Sequence, residues 1–432
     1  MANAADGPCH ADFLRVTCQE FIRFLSSTPI HHGYAGCVVD QKGGLGPLYL
    51  AGFTTAFGAH GVAAALGTET ENLGLAFATL GLILATYDIA EVILKPVFGT
   101  LSDRVGVKPV IVGGLLVFAA ASLLGVFAAS PLLLALARLA QGAAAAGFSP
   151  ASSSAVARLV GPSLAGRYFG KYGSWKGLGY AGGPLLGAAL ITWAGLPALF
   201  LVLAGLSLVA ALWTAISMPS VPVLPKHCST LADIVKQSTA PAFLGPVLLL
   251  AVATAVLAVA VGFIPLLAAR LGADPIIGMG AVSILAVISA LVQPLTGRIH
   301  DSAPQRVNTL ISAGAALLLA AVTLLAVVPS LPVILLGAAA IGLGVGLITP
   351  LGFARLAATT PPERMGRTMG SAELGREVGD AGGPILVGLV AGAATLPLGL
   401  GALAVACAVA AAGGAIMMRS PASSADHPKG TE

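Results

Sequence analysis

Apolar residues run through this chain in long blocks separated by short polar segments. A block of about 17 to 25 apolar residues crosses a bilayer as one helix, so each such block is read as a membrane span. The pattern predicts helices near 45–66, 73–99, 109–128, 131–156, 169–193, 195–218, 243–268, 276–297, 307–328, 331–353, 369–392 and 396–418. The expected fold is an all-α membrane protein with twelve transmembrane helices.

The pattern also divides the chain. Residues 219–242, with Pro219, Pro222, Pro225, Lys226, His227, Asp233 and Lys236, break the apolar run between the sixth and seventh spans and read as a cytoplasmic linker. Residues 1–43 form a polar N-terminal tail in which Leu14, Cys18, Phe21 and Leu25 make one helical stripe beside Arg15 and Arg23, suiting a short helix on the membrane surface. The remaining divisions are a six-helix bundle at 44–218, a second at 243–418 and a cytoplasmic tail at 419–432. The two bundles repeat one another. Gly170, Gly179, Gly183, Pro184 and Gly187 recur 200 residues later as Gly370, Gly379, Gly383 and Pro384, with Val387 in the last place. Pro96, Gly99 and Asp103 likewise match Pro294, Gly297 and Asp301, and Gly166–Arg167 matches Gly366–Arg367. Two parallel repeats of six helices predict pseudo-symmetric bundles about a central cavity, one rocking against the other. Glycines four residues apart let helix backbones approach closely, so the repeated glycine–proline stretches read as a helix pair that moves.

Composition supports the membrane reading. Of the 432 residues 57% are hydrophobic and 9% charged, with a mean hydropathy of +0.93, whereas a soluble domain carries about 25% charged residues. With both termini cytoplasmic, the inner loops hold Arg104, Lys108, Arg158, Arg167, Lys171, Lys226, Lys236, Arg298, Arg306, Arg355, Arg364 and Arg367, and the outer loops hold Arg270. That asymmetry is the positive-inside rule, so the net charge of +4 reflects orientation and not a nucleic-acid partner. Cys9, Cys18, Cys37, Cys228 and Cys407 show no paired spacing, and Cys9, His10, His31, His32 and Cys37 meet no metal-ligand spacing, so neither metal nor cofactor is expected. The tail lacks the apolar core of a signal peptide. A phosphate-binding G-x4-G-K-[ST] loop and an H-E-x2-H pair are both missing, and Ser152, Ser153 and Ser154 have no recognisable His and acid, so an enzyme is not expected.

Three motifs carry a family resemblance. Gly99-Thr100-Leu101-Ser102-Asp103-Arg104-Val105-Gly106-Val107-Lys108, in the loop after the second span, resembles the G-x3-D-R-x-G-x-K/R signature of the major facilitator superfamily. Arg138-Leu139-Ala140-Gln141-Gly142 in the fourth span resembles that superfamily's R-x2-Q-G motif, and the glycine–proline spacing of the fifth resembles its proton-coupled drug antiporter branch. The resemblance spans about residues 45–418. It implies the major facilitator fold, export of a small molecule in exchange for protons, a proton-coupling role for Arg138, which on physical grounds equally suits a hydrogen-bonded anchor for neighbouring helix backbones, and a gating role for Gly99, Asp103, Arg104, Gly106 and Lys108. Asp103 would approach the N-terminus of the eleventh helix when the cytoplasmic side closes. The second-half loop departs from the signature, with Ser302 where Arg104 stands, so gating is expected from the first-half loop.

Ionisable groups inside spans each cost about 2.5 to 3.5 kcal/mol on insertion and ordinarily face a partner or water. Asp88, Glu91 and Lys95 share one face of the second span, and Glu373, Arg376, Glu377 and Asp380 lie within two turns of the eleventh. The resemblance makes these helices antiparallel neighbours, so residues at equal depth have position numbers of constant sum. That pairs Glu91 with Arg376, Lys95 with Glu373 and Asp88 with Asp380. The expected arrangement is two interdomain salt bridges and a carboxylate dyad sharing a proton, with Glu377 beside it; the alternative is a permanent clamp. Lys176 finds no acid on the eighth span, which offers Ser283, Ser289 and Gln293, and so either contacts substrate or a carboxylate elsewhere, or pairs with Glu91 or reaches water. His60, Tyr87 and Tyr180 are further candidates for substrate contact, against the simpler reading of packing side chains; Tyr172 and Trp175 stand near the same stretches. The expected protein is a monomeric proton-coupled exporter in a cell membrane. A proton-coupled symporter for an organic anion and a non-transporting receptor on the same fold are the alternatives.

Overall fold

The computed structural model describes residues 44–68, 77–128, 130–223 and 239–419, and these are almost wholly helical. The helices are α1 (Gly46–Thr68), α2 (Phe77–Val105), α3 (Val107–Val126) and α4 (Pro131–Val160), then a continuous run Ala165–Ser217. Ala194 and Gly195 leave helical geometry in that run, Gly195 at φ 77°, and divide it into α5 (165–193) and α6 (196–217). After the linker come α7 (Pro241–Arg270), α8 (Pro275–Ser302), α9 (Val307–Val327), α10 (Leu331–Thr359), α11 (Met365–Ala393) and α12 (Leu396–Arg419). Twelve helices therefore stand among the described residues. The tail stripe at Leu14–Leu25 and most of the linker, including Lys226, His227, Asp233 and Lys236, lie outside them, as do residues 420–432.

Local chemistry sets several boundaries. Ser130 accepts a hydrogen bond from the Leu133 N–H at 3.2 Å with Pro131 in the first turn of α4, and Asp274 accepts one from the Ile276 N–H at 2.8 Å at the head of α8. Gly106, at φ 105°, makes the tight corner between α2 and α3, a conformation that a side chain would strain.

Two apolar cores organise the twelve helices. One is built mainly from the first six, around Phe57, Phe118, Phe148 and Phe200; the other mainly from the last six, around Ile264, Leu285, Leu318 and Leu403. Each half packs alike. α5 lies on α1 and α2 on α4, as α11 lies on α7 and α8 on α10. The halves meet along α2 with α11 and α5 with α8, two pairs related by the internal repeat. The outer face is apolar, with Leu82, Ile93, Trp193, Ile216, Leu291 and Val405 exposed where lipid tails would lie.

Eight segments are long and apolar enough to cross a membrane by length and composition. α1, α2 and α11, and the first half of α5, fall short. These are the helices that carry His60, Asp88, Glu91, Lys95, Lys176, Glu373, Arg376, Glu377 and Asp380. Polar residues at these positions lower hydropathy because they face one another and a cavity rather than lipid.

The repeated glycines have two separate uses. Gly179, Gly183 and Gly187 press α5 onto α1, where an added Cβ on Gly179 would stand 2.6 Å from the Phe53 carbonyl and one on Gly187 2.6 Å from that of Gly61. Gly379 and Gly383 do the same for α11 on α7, against Thr254 and Ala255. Pro184 and Pro384 lie inside unbroken helices. The glycine–proline stretches thus join helices within each half. A different set lies between halves. A Cβ on Gly99 would sit 2.6 Å from the Gly366 carbonyl and one on Gly370 2.7 Å from that of Lys95, while Gly297 meets Gly166 and Gly170 meets Pro294 in the related position.

Candidate functional site

The halves are latched at one end. Asp103, at the end of α2, accepts hydrogen bonds from the backbone N–H of Gly366 at 2.7 Å and of Arg367 at 2.9 Å, both at the head of α11. Asp301, at the end of α8, accepts from Gly166 at 3.0 Å and Arg167 at 2.9 Å, at the head of α5. Each carboxylate takes two N–H groups that a helix N-terminus leaves without partners, and sits at the positive end of that helix. The second latch corrects the expectation that the first-half loop alone engages. Ser302 in place of Arg104 does not matter to this geometry, which needs the carboxylate and the bare glycine backbones beneath it. Arg104 is exposed, and Lys108 donates from Nζ to the Met218 carbonyl at 2.7 Å, tying α3 to the end of α6.

Beyond the latches, the buried charges form a network across the interface. Lys95 places Nζ 2.5 Å from Oε1 of Glu377 and 3.3 Å from Oε2 of Glu91. Lys176 places Nζ 2.7 Å from Oε2 of Glu373, which also lies 3.3 Å from Nη1 of Arg376. Glu373 is fully buried and Lys95 is 1% exposed. All four residues expected in salt bridges are in ion pairs, but with other partners. Lys95 pairs across the interface with Glu377 instead of Glu373, and Glu91 pairs with Lys95 instead of Arg376. The cause is side-chain direction. Helical side chains lean toward their own N-terminus, so the long Lys95 chain delivers its ammonium about one turn back along α2, to the depth of Glu91 and of its antiparallel mate Glu377. Lys176 has the acid that α8 could not supply, Glu373 on α11.

The acids near the dyad position are also arranged differently from expectation. Tyr180 donates a hydrogen bond from Oη to Oδ1 of Asp380, joining α5 to α11, and its ring lies 3.7 Å from that of His60, centroid to centroid. Asp88 is exposed on the same space and holds no bond to Asp380. The dyad is therefore two carboxyls lining one cavity, with a tyrosine on one of them. This cavity is lined by His60, Asp88, Glu91, Lys176, Tyr180, Arg376, Glu377 and Asp380, among others.

Arg138 is buried and lines neither this cavity nor the space beside it. Its Nη1 donates to the Gly58 carbonyl and to Oε1 of Gln141, each at 3.0 Å, and its guanidinium stacks 4.1 Å above the Tyr87 ring. It anchors α4 to α1 and α2. Tyr87 is fully buried under that arginine and lines neither cavity, which removes it from the candidate substrate contacts. Trp175 is exposed, edge-on to Phe53, and Tyr172 is buried with Oη donating to the Ser149 carbonyl at 3.4 Å.

A second space lies against the first and shares Lys176, Tyr180 and Arg376 with it. Its other walls include Phe169, Tyr172, Ser289, Gln293, Thr349 and Phe353. Sequence reasoning noted Ser289 and Gln293 only as non-acidic, and missed Phe353 and Thr349, which carry no pattern distinguishing them from packing residues. Among the described residues no cluster of His, Cys, Asp and Glu could hold a metal.

Known proteins resemble much of the chain. It is 27% identical to the multidrug resistance protein MdtH of Aeromonas hydrophila over 312 residues, 72% of this chain and 77% of that one. It is 33% identical to the multidrug resistance protein B homolog of Mycobacterium tuberculosis over 158 residues, 37% of this chain but only 29% of the relative's length. Its fold matches the human organic anion transporter MFSD10 (TETRAN), with a TM-score of 0.69 at 19% identity over 86% of this chain and 97% of that one. It matches the transporter FucP in its outward conformation with a TM-score of 0.71 at 14% identity, over 86% and 98%. Residues 48–321, more than half of the chain, fit the sequence profile of the Major Facilitator Superfamily, and the chain belongs to that family of transporters.

Proposed function

We propose that this transporter exports a small molecule in exchange for protons by alternating access, the halves at 44–218 and 243–418 rocking about the cavity with the linker at 219–242 between them. The observation that carries the reading is the charge balance of the buried network. Asp88, Glu91, Glu373, Glu377 and Asp380 gather about Lys95, Lys176 and Arg376, with Arg138 close by on Gly58 and Gln141, five acids against four bases. A low-dielectric site favours neutrality, so one proton completes the set, and Asp88 and Asp380 are the carboxyls outside the ion pairs and open to the cavity to hold it. Export is supported by the relatives named for multidrug resistance. The lysine and arginine count supports a cytoplasmic position for the latched end, with both termini on that side of a cell membrane, and on this reading the latches hold the cytoplasmic gate shut. Gly99, Asp103, Gly106 and Lys108 then belong to that gate, with Asp301 as its second half. His60, Lys176 and Tyr180 are the substrate contacts nearest the proton site.

The test uses purified protein in liposomes with a lumenal pH dye and a panel of candidate compounds. An antiporter moves protons against the substrate, so substrate entering the vesicles makes the lumen more alkaline, and Asp88→Asn removes the signal. No pH-linked flux for any compound sinks the proposal. A symporter for an organic anion is the second reading, favoured by Lys176 and Arg376 on both cavity walls. It gives the opposite sign, an acidified lumen.

A further inference from the structure

The second space differs from the first in chemistry as well as position. Its fixed charges are Lys176 and Arg376, both resting on Glu373, two cations on one acid that leave one positive charge beside the lining. Its other walls are aromatic. Phe169 and Phe353 lie nearly parallel, 15° apart with centroids at 5.6 Å, one from each half, with Tyr172 and Tyr180 along the same lining. Such faces take flat rings in offset stacking.

Two polar atoms on this lining lack partners. Gln293 is 2% exposed; its Nε2 donates to Oγ of Ser289 at 3.1 Å, and its Oε1 is buried with no hydrogen bond. Nε of Arg376 is buried with none either. The Gln293 amide lies over Gly173 and Gly177 of α5, bare positions where a side chain would collide with it. A buried acceptor without a donor is costly, and the cost is recovered when a ligand supplies the missing N–H or O–H. Sites built this way discriminate strongly against analogues that lack the donor.

We propose that this second compartment is the substrate-recognition subsite, taking a planar aromatic molecule that packs against the wall made by Phe169 and Phe353 and donates a hydrogen bond to Oε1 of Gln293, with an acceptor group toward Arg376. Gln293 is then the residue that sets specificity. The proposal rests on the transport reading for its purpose. Division of labour follows: the ring of the substrate sits on the aromatic side of the Lys176–Glu373–Arg376 triad, its remainder reaches past Tyr180 toward His60, and the proton sits on the carboxyls of the acidic side, so each is felt by the other through that triad.

The probe is a pair of fluorescent dyes, 7-amino-4-methylcoumarin and 7-(dimethylamino)-4-methylcoumarin, which share the flat ring and lactone carbonyl and differ in the N–H donor. Binding is titrated by anisotropy on the full chain in lipid nanodiscs with no proton gradient, so a failure of proton coupling leaves the result readable. The amino dye should bind about tenfold more tightly than its dimethyl analogue. Gln293→Leu should erase that gap, Gln293→Glu should keep it, and Phe353→Leu should weaken both dyes alike. Equal affinities in the unaltered protein, absence of saturable binding of the amino dye, or a gap that survives Gln293→Leu overturns the proposal. The comparison of the two dyes on the unaltered chain stands even if a variant fails to fold.

Discussion

Lys95 and Glu377 bind each other across the interface between the halves, Nζ to Oε1 at 2.5 Å, with the lysine almost fully buried. Removing one partner of a buried pair leaves the other charge uncompensated, at a cost of about 3 to 5 kcal/mol. Lys95→Met leaves two carboxylates, Glu91 and Glu377, in that position. It should lower the melting temperature in detergent clearly more than the double variant Lys95→Met with Glu377→Leu, which leaves a smaller uncompensated charge. Equal destabilisation by both would mean that the pair is not coupled.

The same pair shows what was legible in the chain. Opposed charges on α2 and α11 are written in Asp88–Lys95 and Glu373–Asp380, the family resemblance made the two helices neighbours, and one ion pair, Lys95–Glu377, does join them. The partner choice was not legible, because backbone depth does not say how far a lysine reaches. Tyr180 shows a different limit. Its bond to Asp380 joins helices whose spacing no one-dimensional pattern encodes, so the carboxylate that looked like half of a dyad already had a phenol on it.

Asp103 and Asp301 hold the heads of α11 and α5 through matching pairs of backbone N–H groups. An anion at a helix N-terminus is worth about 1 kcal/mol, so Asp103→Asn and Asp301→Asn should each shift the latched population about fivefold toward the open state. The double variant should shift it more than either. Pulsed electron-spin distances between labels at Val105 and Pro362 read this directly. No effect of Asp301→Asn would return gating to the first-half loop alone.

Gly99 and Gly205 make a matched pair for the backbone contact. A methyl on Gly99 would stand 2.6 Å from the Gly366 carbonyl, whereas one on Gly205 meets nothing within 4 Å. Gly99→Ala should therefore prevent closure at the latched end and abolish flux, and Gly205→Ala should leave flux unchanged. Flux assays on both, with the label distances above, separate blocked closure from simple misfolding.

Helix existence was legible almost throughout, but helix length was not, and the errors have a direction. α2 was expected to stop near 99 and runs to 105; α10 was expected to stop near 353 and runs to 359; α11 begins at 365 instead of 369. All these extensions lie at the latched end. Hydropathy reports where apolar side chains stop, whereas a helix continues as long as its backbone bonds are met, and here the extra turns carry Asp103 and the N–H groups it binds.

Tyr180 holds Asp380 by its hydroxyl and His60 by its ring, so two substitutions can separate the two contacts. Tyr180→Phe keeps the ring and removes the hydrogen bond, freeing Asp380 from a partner that belongs to the other half. Losing a hydrogen bond to a charged group costs about 1.5 to 3 kcal/mol, so the proton-driven rate should fall by about tenfold or more. Exchange of labelled for unlabelled substrate without a gradient needs binding and rocking but no net proton movement, and should survive this change. Tyr180→Leu removes the aromatic contact as well, and should depress exchange along with driven transport. Equal loss of both activities in Tyr180→Phe would assign the tyrosine to substrate contact alone and leave Asp380 without a role in coupling.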